Sequence, residues 1–129
     1  MNLDYERHVG FDPTAVAWCH GDERVVLEFP FPIRAVYSAA LQQVVVELAA
    51  VGKLGFYDLD GAAQSEEDVP ELPGYMFWGL NPNRSSRTGV ALLFQPVAEG
   101  VGNEWRDAEQ YELVLGGDSI VGRKLGIYR

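Results

Sequence analysis

The chain has 129 residues and carries 19 acidic against 10 basic side chains, a net charge of -9. Hydrophobic residues make up 47% and aromatic residues 12%, which excludes a disordered chain. A single cysteine excludes an internal disulfide framework.

This length points to one domain over residues 1–129, burying about two thirds of its unfolded surface. Fourteen glycines and seven prolines imply many turns and favour a mainly β chain. The charge is uneven: residues 1–74 hold 4 basic and 13 acidic residues, while residues 75–129 hold 6 of each. An acidic surface opposes nucleic-acid binding, which needs a positive footprint, and steers toward a basic partner. The competing reading is that the charge only confers solubility. No apolar run reaches the length of a membrane span, and MNLDYERHVG lacks the apolar region of a secretory signal, so a cytoplasmic location without membrane contact is expected.

In chain order, Asp12-Pro13 marks a turn and Ala15 to His20 reads as a first strand. Gly21-Asp22 suits a two-residue type II′ hairpin loop. A second strand follows from Arg24 to Phe29, with Val25, Leu27 and Phe29 on one side. Pro30 and Pro32 then end the pairing, because neither donates a ladder hydrogen bond.

Residues 33–61 form the longest apolar stretch, and it has two readings. In the β reading, Ile33, Ala35 and Tyr37 alternate with Arg34, Val36 and Ser38, and Val44-Val45-Val46 and Leu54 to Asp60 continue as strands. In the helical reading, Ser38 is an N-cap, Gly52 ends the helix, and Leu41, Val44, Val45, Leu48 and Val51 fall at helical spacing. The first gives an all-β chain, the second an α+β chain with one helix at 38–51.

The segment Tyr57-Asp58-Leu59-Asp60-Gly61, behind an apolar run, resembles a hairpin signature of small uncharacterised bacterial β proteins. It is also similar to one hairpin of a propeller blade. The first group includes some immunity proteins of bacterial toxin systems. The resemblance points toward that class, and it carries over no residue role. Without an internal repeat, a full propeller is not expected.

Residues 62–74, AAQSEEDVPELPG, lack periodicity and read as an exposed acidic loop. Glu66, Glu67, Asp68 and Glu71 are its candidate contacts to a basic protein. Tyr75 to Leu80 is a strongly β-prone strand, residues 81–89 are a polar turn, and Val90 to Val97 returns as an apolar central strand. Tyr75, Trp78, Arg84 and Arg87 are candidates for a ligand or anion site around this hairpin. Asn103 is a candidate cap for a short helix over 104–110. Tyr111 to Leu115 is a strand, residues 116–119 a turn, and Ile120-Val121 with Lys124 to Tyr128 a closing hairpin or two short strands. About eight strands at this spacing imply an antiparallel sheet, sandwich or barrel.

No catalytic motif stands out. Neighbours in a strand point to opposite faces, so Cys19 and His20 form no dyad, and Cys19 reads as buried and unreactive. Asp58 and Asp60 share a strand face at i and i+2, too few oxygens for a calcium site. Asp60 is expected to form the turn, with Asp58 solvated. Two histidines and one cysteine give no zinc pattern, and no phosphate-cradling or nucleophile-elbow motif is present. Residues 115–118 and 122–126 read as turns.

These features favour an acidic binding protein without cofactor or metal. The alternatives are a small-ligand-binding or enzymatic β-barrel, lined by Tyr57, Asp58, Tyr75, Trp78 or Arg84, and a module that assembles through an open sheet edge.

Overall fold

A computed structural model describes residues 1–6, 13–97 and 108–128. Eleven strands are present among these residues: β1 (Asp4–Glu6), β2 (Ala15–His20), β3 (Glu23–Glu28), β4 (Arg34–Ser38), β5 (Gln43–Leu48), β6 (Lys53–Asp58), β7 (Ala63–Asp68), β8 (Tyr75–Pro82), β9 (Val90–Pro96), β10 (Glu109–Leu113) and β11 (Val121–Ile127). They form three antiparallel sheets, ordered β1-β2-β3, β4-β5-β6-β7 and β11-β10-β9-β8. The chain is mainly β, as its composition implied. None of the sheets closes on itself, so the barrel form is set aside. No helix among the described residues is long and apolar enough to cross a membrane. The chain divides into two compact units, Met1–Asp68 and Val69–Arg129.

In the first unit, the β2–β3 hairpin turns through Gly21-Asp22 with a positive φ at Gly21, as the type II′ reading requires. Val16 and Trp18 of β2 pack with Ile33, Ala35, Val44, Val46 and Leu48, and Val25 and Leu27 of β3 lie against this cluster. The Trp18 indole N–H donates to the Leu59 carbonyl at 2.9 Å, which satisfies its polar atom inside the core. Val36, Val45, Leu54 and Phe56 on the opposite face of the second sheet are buried as well.

The helical reading of residues 38–51 is overturned, although both of its end signals are used. The Ser38 hydroxyl accepts the Leu41 backbone N–H at 3.1 Å, as an N-cap would, but the turn it starts lasts only four residues. Gln42 closes that turn with φ 55, and its side-chain amide donates to the Ala39 carbonyl. At the other end, Gly52 caps a single 3₁₀ turn, Ala49–Val51, in the left-handed region. Between them Val44, Val45 and Val46 form the middle of β5, where branched side chains fit the pleat and both faces are covered.

In the second unit, β9 is the most buried strand, flanked by β8 and β10. Phe94 is fully buried, and Tyr75, Phe77 and Tyr111 set their rings edge-on to it at centroid distances of 6.4, 5.7 and 5.6 Å.

Three further expectations change. Residues 63–68, expected as loop, are strand β7. Residues 122–126, expected as a turn, lie within the continuous strand β11, which follows β10 through two register shifts. The helix expected at 104–110 falls mostly outside the described residues, and its last two positions, Glu109 and Gln110, begin β10.

Candidate functional site

Among the described residues, strand β7 pairs only with β6, so it is the outer strand of its sheet. All six of its residues are exposed. Their sequence, AQSEED, has no large apolar side chain to bury, so the strand is held through its backbone pairing with β6. Glu66 stands opposite Gly55 and Glu67 opposite Leu54, which places the two carboxylates on opposite faces. Gly55 leaves room for the Tyr57 ring, whose Cε2 lies 2.8 Å from where a Cβ would be. Burial and the nearby Glu66 charge push the Tyr57 phenol up. Asp68 pairs with the Lys53 ammonium, whose pKa rises through that contact. Glu66 and Glu67 form no ion pair among the described residues. Glu71 is exposed in the segment that opens the second unit.

The two edges of this sheet differ. At the β4 edge, the Tyr5 hydroxyl donates to the Ala35 carbonyl at 2.7 Å and accepts the Ala35 N–H at 2.9 Å. The outer backbone edge of β7 has no such partner among the described residues.

The hairpin leading into β7 is organised by Asp58 and not by Asp60. Asp58 Oδ1 accepts the backbone N–H groups of Asp60 and Ala62, and Asp58 Oδ2 accepts the Gln64 amide. Asp60 lies beyond the strand and pairs with His20 Nδ1 at 2.9 Å on the surface. Cys19 is exposed rather than buried, because the last two residues of β2 extend past the core. His8, which could approach Cys19 only through tertiary folding, and Trp105, expected as a core or sheet-packing residue, lie outside the described residues.

The four ligand candidates of the β8–β9 hairpin do not converge. Tyr75 pairs with Pro96 at the open end, whereas Arg84 and Arg87 lie in the turn beyond the Pro82–Val90 pair, about seven residues or ~23 Å along the strand. Trp78 is the extra residue of a bulge between Phe77 and Gly79, and it stacks edge-to-face on Tyr128 at 5.9 Å.

Arg87 is engaged with a residue that the strand pattern conceals. Glu112 is fully buried on β10. Its Oε2 accepts the Arg87 backbone N–H at 2.6 Å, and its Oε1 accepts Arg87 Nε and Nη2 at 3.1 and 2.9 Å. Arg123 Nε lies 3.7 Å from the same carboxylate and donates through Nη2 to the Ser85 carbonyl. The Arg87 side chain and backbone hold the Glu112 carboxyl below its ordinary range against the opposing effect of burial. Alternation in YELVL showed that Glu112 faces away from Tyr111 and Leu113, but nothing in that pattern showed both faces to be covered.

A second group surrounds Glu109. Lys124 donates to Glu109 Oε1 at 2.5 Å, while Oε2 is buried without a well-aligned hydrogen bond among the described residues. Burial raises the Glu109 carboxyl, but Lys124 and the nearby phenols of Tyr75 and Tyr111 bring it below its ordinary value. The proximity of Glu109, reinforced by burial, pushes the Tyr75 phenol up to about 12.

No set of three or more metal-ligating side chains occurs among the described residues. In comparisons with family models, curated proteins and solved structures, the chain matches none.

Proposed function

We propose that the chain is a non-enzymatic acidic binding protein, of the immunity type, that neutralises a basic protein partner. The observation that carries this reading is β7, an outer strand exposed along its whole length that presents Glu66 and Glu67 beside an open backbone edge. An open edge accepts an extended strand through main-chain hydrogen bonds, and the carboxylates select a strand with Lys or Arg side chains. The net charge of -9 speeds encounter with such a partner. Charge on an edge strand also deters self-association, so the test must separate partner binding from simple protection.

The test is affinity capture from the native host at low and high salt, with wild type and a Glu66→Ala/Glu67→Ala/Asp68→Ala variant. One basic protein retained by the wild type at low salt, lost at high salt and lost from the variant supports the reading. Equal retention by the variant, or retention of nothing at either salt, removes it.

A further inference from the structure

Two open sheet edges of the described chain carry opposite charge. Strand β7 presents Glu66, Glu67 and Asp68 over six residues. Strand β11 is the outer strand of the third sheet, and its seven residues, VGRKLGI, hold Arg123 and Lys124 and no acidic side chain. No main-chain hydrogen bond reaches the outer side of either strand among the described residues. The other outer strands differ. Strands β1 and β3 carry more acidic than basic residues, and β8 carries no charge. Strand β4 holds Arg34, but Tyr5 occupies its backbone edge at Ala35.

The charges on the two edges are accessible and only partly compensated. Glu66 and Glu67 are exposed. The Arg123 and Lys124 side chains are 61% and 48% exposed. Arg123 shares the single Glu112 carboxylate with Arg87, so one positive charge is left over there. Lys124 lies against Glu109. Glu109 and Glu112 are three positions apart on β10 and face opposite ways, so Arg123 and Lys124 also serve opposite faces. Glu66 and Glu67 do the same on β7. An antiparallel register with Glu67 opposite Arg123 and Glu66 opposite Lys124 therefore gives each face of a joined sheet one cross-strand ion pair. That register overlaps the whole of β7 with residues 122–127 of β11.

We propose that β7 of one copy pairs antiparallel with β11 of a second copy, Glu67 against Arg123 and Glu66 against Lys124, so that the chain associates head to tail through its own edges. Such a contact joins two different surfaces, so it closes into a ring or continues as an open series. Pairing of β7 with β7, or of β11 with β11, sets like charges side by side and is disfavoured. The proposal rests on the reading of β7 as an open docking edge and goes beyond it by naming an occupant that the chain itself supplies. A foreign basic strand then competes with β11 for the same edge.

The experiment is sedimentation velocity of the full chain from micromolar to millimolar concentration, at low and high salt, with amide NMR over the same series. The expected result is a mass that rises above 14.3 kDa with concentration at low salt and falls back at high salt. Amide shifts that depend on concentration are expected at 63–68 and 121–127. Glu66→Lys/Glu67→Lys alone and Arg123→Glu/Lys124→Glu alone each weaken association by about tenfold or more. An equimolar mixture of the two variants restores it, because each altered edge then meets its complement. Should the β11 variant fail to fold, the wild-type shifts and the Glu66→Lys/Glu67→Lys variant, whose positions are exposed, decide the matter. A single-chain mass throughout, shifts confined to other strands, or undiminished association of Glu66→Lys/Glu67→Lys overturns the proposal. A chain that stays single yet captures a basic host protein overturns this inference and leaves the proposed function standing. Association through these edges with no captured protein supports it and removes the proposed function.

Discussion

Replacing Gly61 with alanine tests how the β6–β7 turn is seated on its neighbours. Gly61 has φ +89, a region that costs an L-residue about 1–2 kcal/mol. The added Cβ would also stand 2.8 Å from Val25 Cγ1 and 3.7 Å from Leu27 Cδ2, so β3 or the turn must shift. Such overpacking typically costs about 1–3 kcal/mol. Loss of glycine's freedom in the unfolded chain returns about 0.4–1 kcal/mol. The net expectation is a destabilisation of about 2–4 kcal/mol. Gly52 is the internal control: its φ is +67 and nothing lies within 4 Å of its Cβ position, so Gly52→Ala keeps the strain without the collision. Its cost is about 1 kcal/mol. Urea unfolding followed by tryptophan fluorescence measures both, at constant m-value. The double variant Gly61→Ala/Val25→Ala recovers part of the loss, and the double-mutant cycle isolates the contact. Equal costs at Gly61 and Gly52, with no coupling to Val25, would refute the close approach of the turn to β3.

Other consequences follow from the second unit. Glu112 titrates below its unfolded value, so its stabilisation is complete above the ordinary carboxylate range and is lost as pH falls through the folded value. Urea midpoints from pH 7 to 3 should therefore show wild type converging on Glu112→Gln as the pH drops; a constant gap would contradict the assignment. Phe94→Ala removes the buried ring at the centre of the aromatic cluster and should cost about 3–5 kcal/mol, whereas Met76→Ala on the same hairpin, 49% exposed, should stay within about 0.5 kcal/mol. The Tyr75 phenol, raised to about 12, should appear as a late-titrating tyrosine in ultraviolet absorbance and vanish in Tyr75→Phe. Because its folded value is raised, its contribution is intact below the unfolded value near 10 and is lost as pH climbs through about 12.

The parts of the chain legible in sequence are those where one physical requirement dominates. Ala15–His20 and the Gly21-Asp22 loop could be read directly, because a two-residue turn with leading glycine admits few geometries. The buried run of β9 was legible as a central strand for the same kind of reason: only a strand covered on both faces tolerates so many consecutive apolar side chains. Residues 38–51 misled because Ser38 and Gly52 carry genuine end signals, and local chemistry cannot say whether the enclosed residues wind or extend. Strand β7 was illegible because neither of its faces is buried, so no alternation exists to read. Glu112 and Gln95 were hidden for the opposite reason: their partners or neighbours come from Arg87, Met76 and Arg123, brought near only by sheet pairing.

Each sheet is a meander, with every strand hydrogen-bonded only to strands adjacent to it in the described order of the chain. No connection has to cross a sheet and return, so loop closure at each step spans a short length of chain. Hairpins can zip one after another, and β1-β2-β3 can pair before the last strands leave the ribosome. For a β-rich protein this implies low contact order within each sheet and comparatively fast folding. While a meander grows, its newest strand is always an unpaired edge, and in the second sheet the last to arrive is β7, whose like charges disfavour pairing of that edge with a second copy of itself.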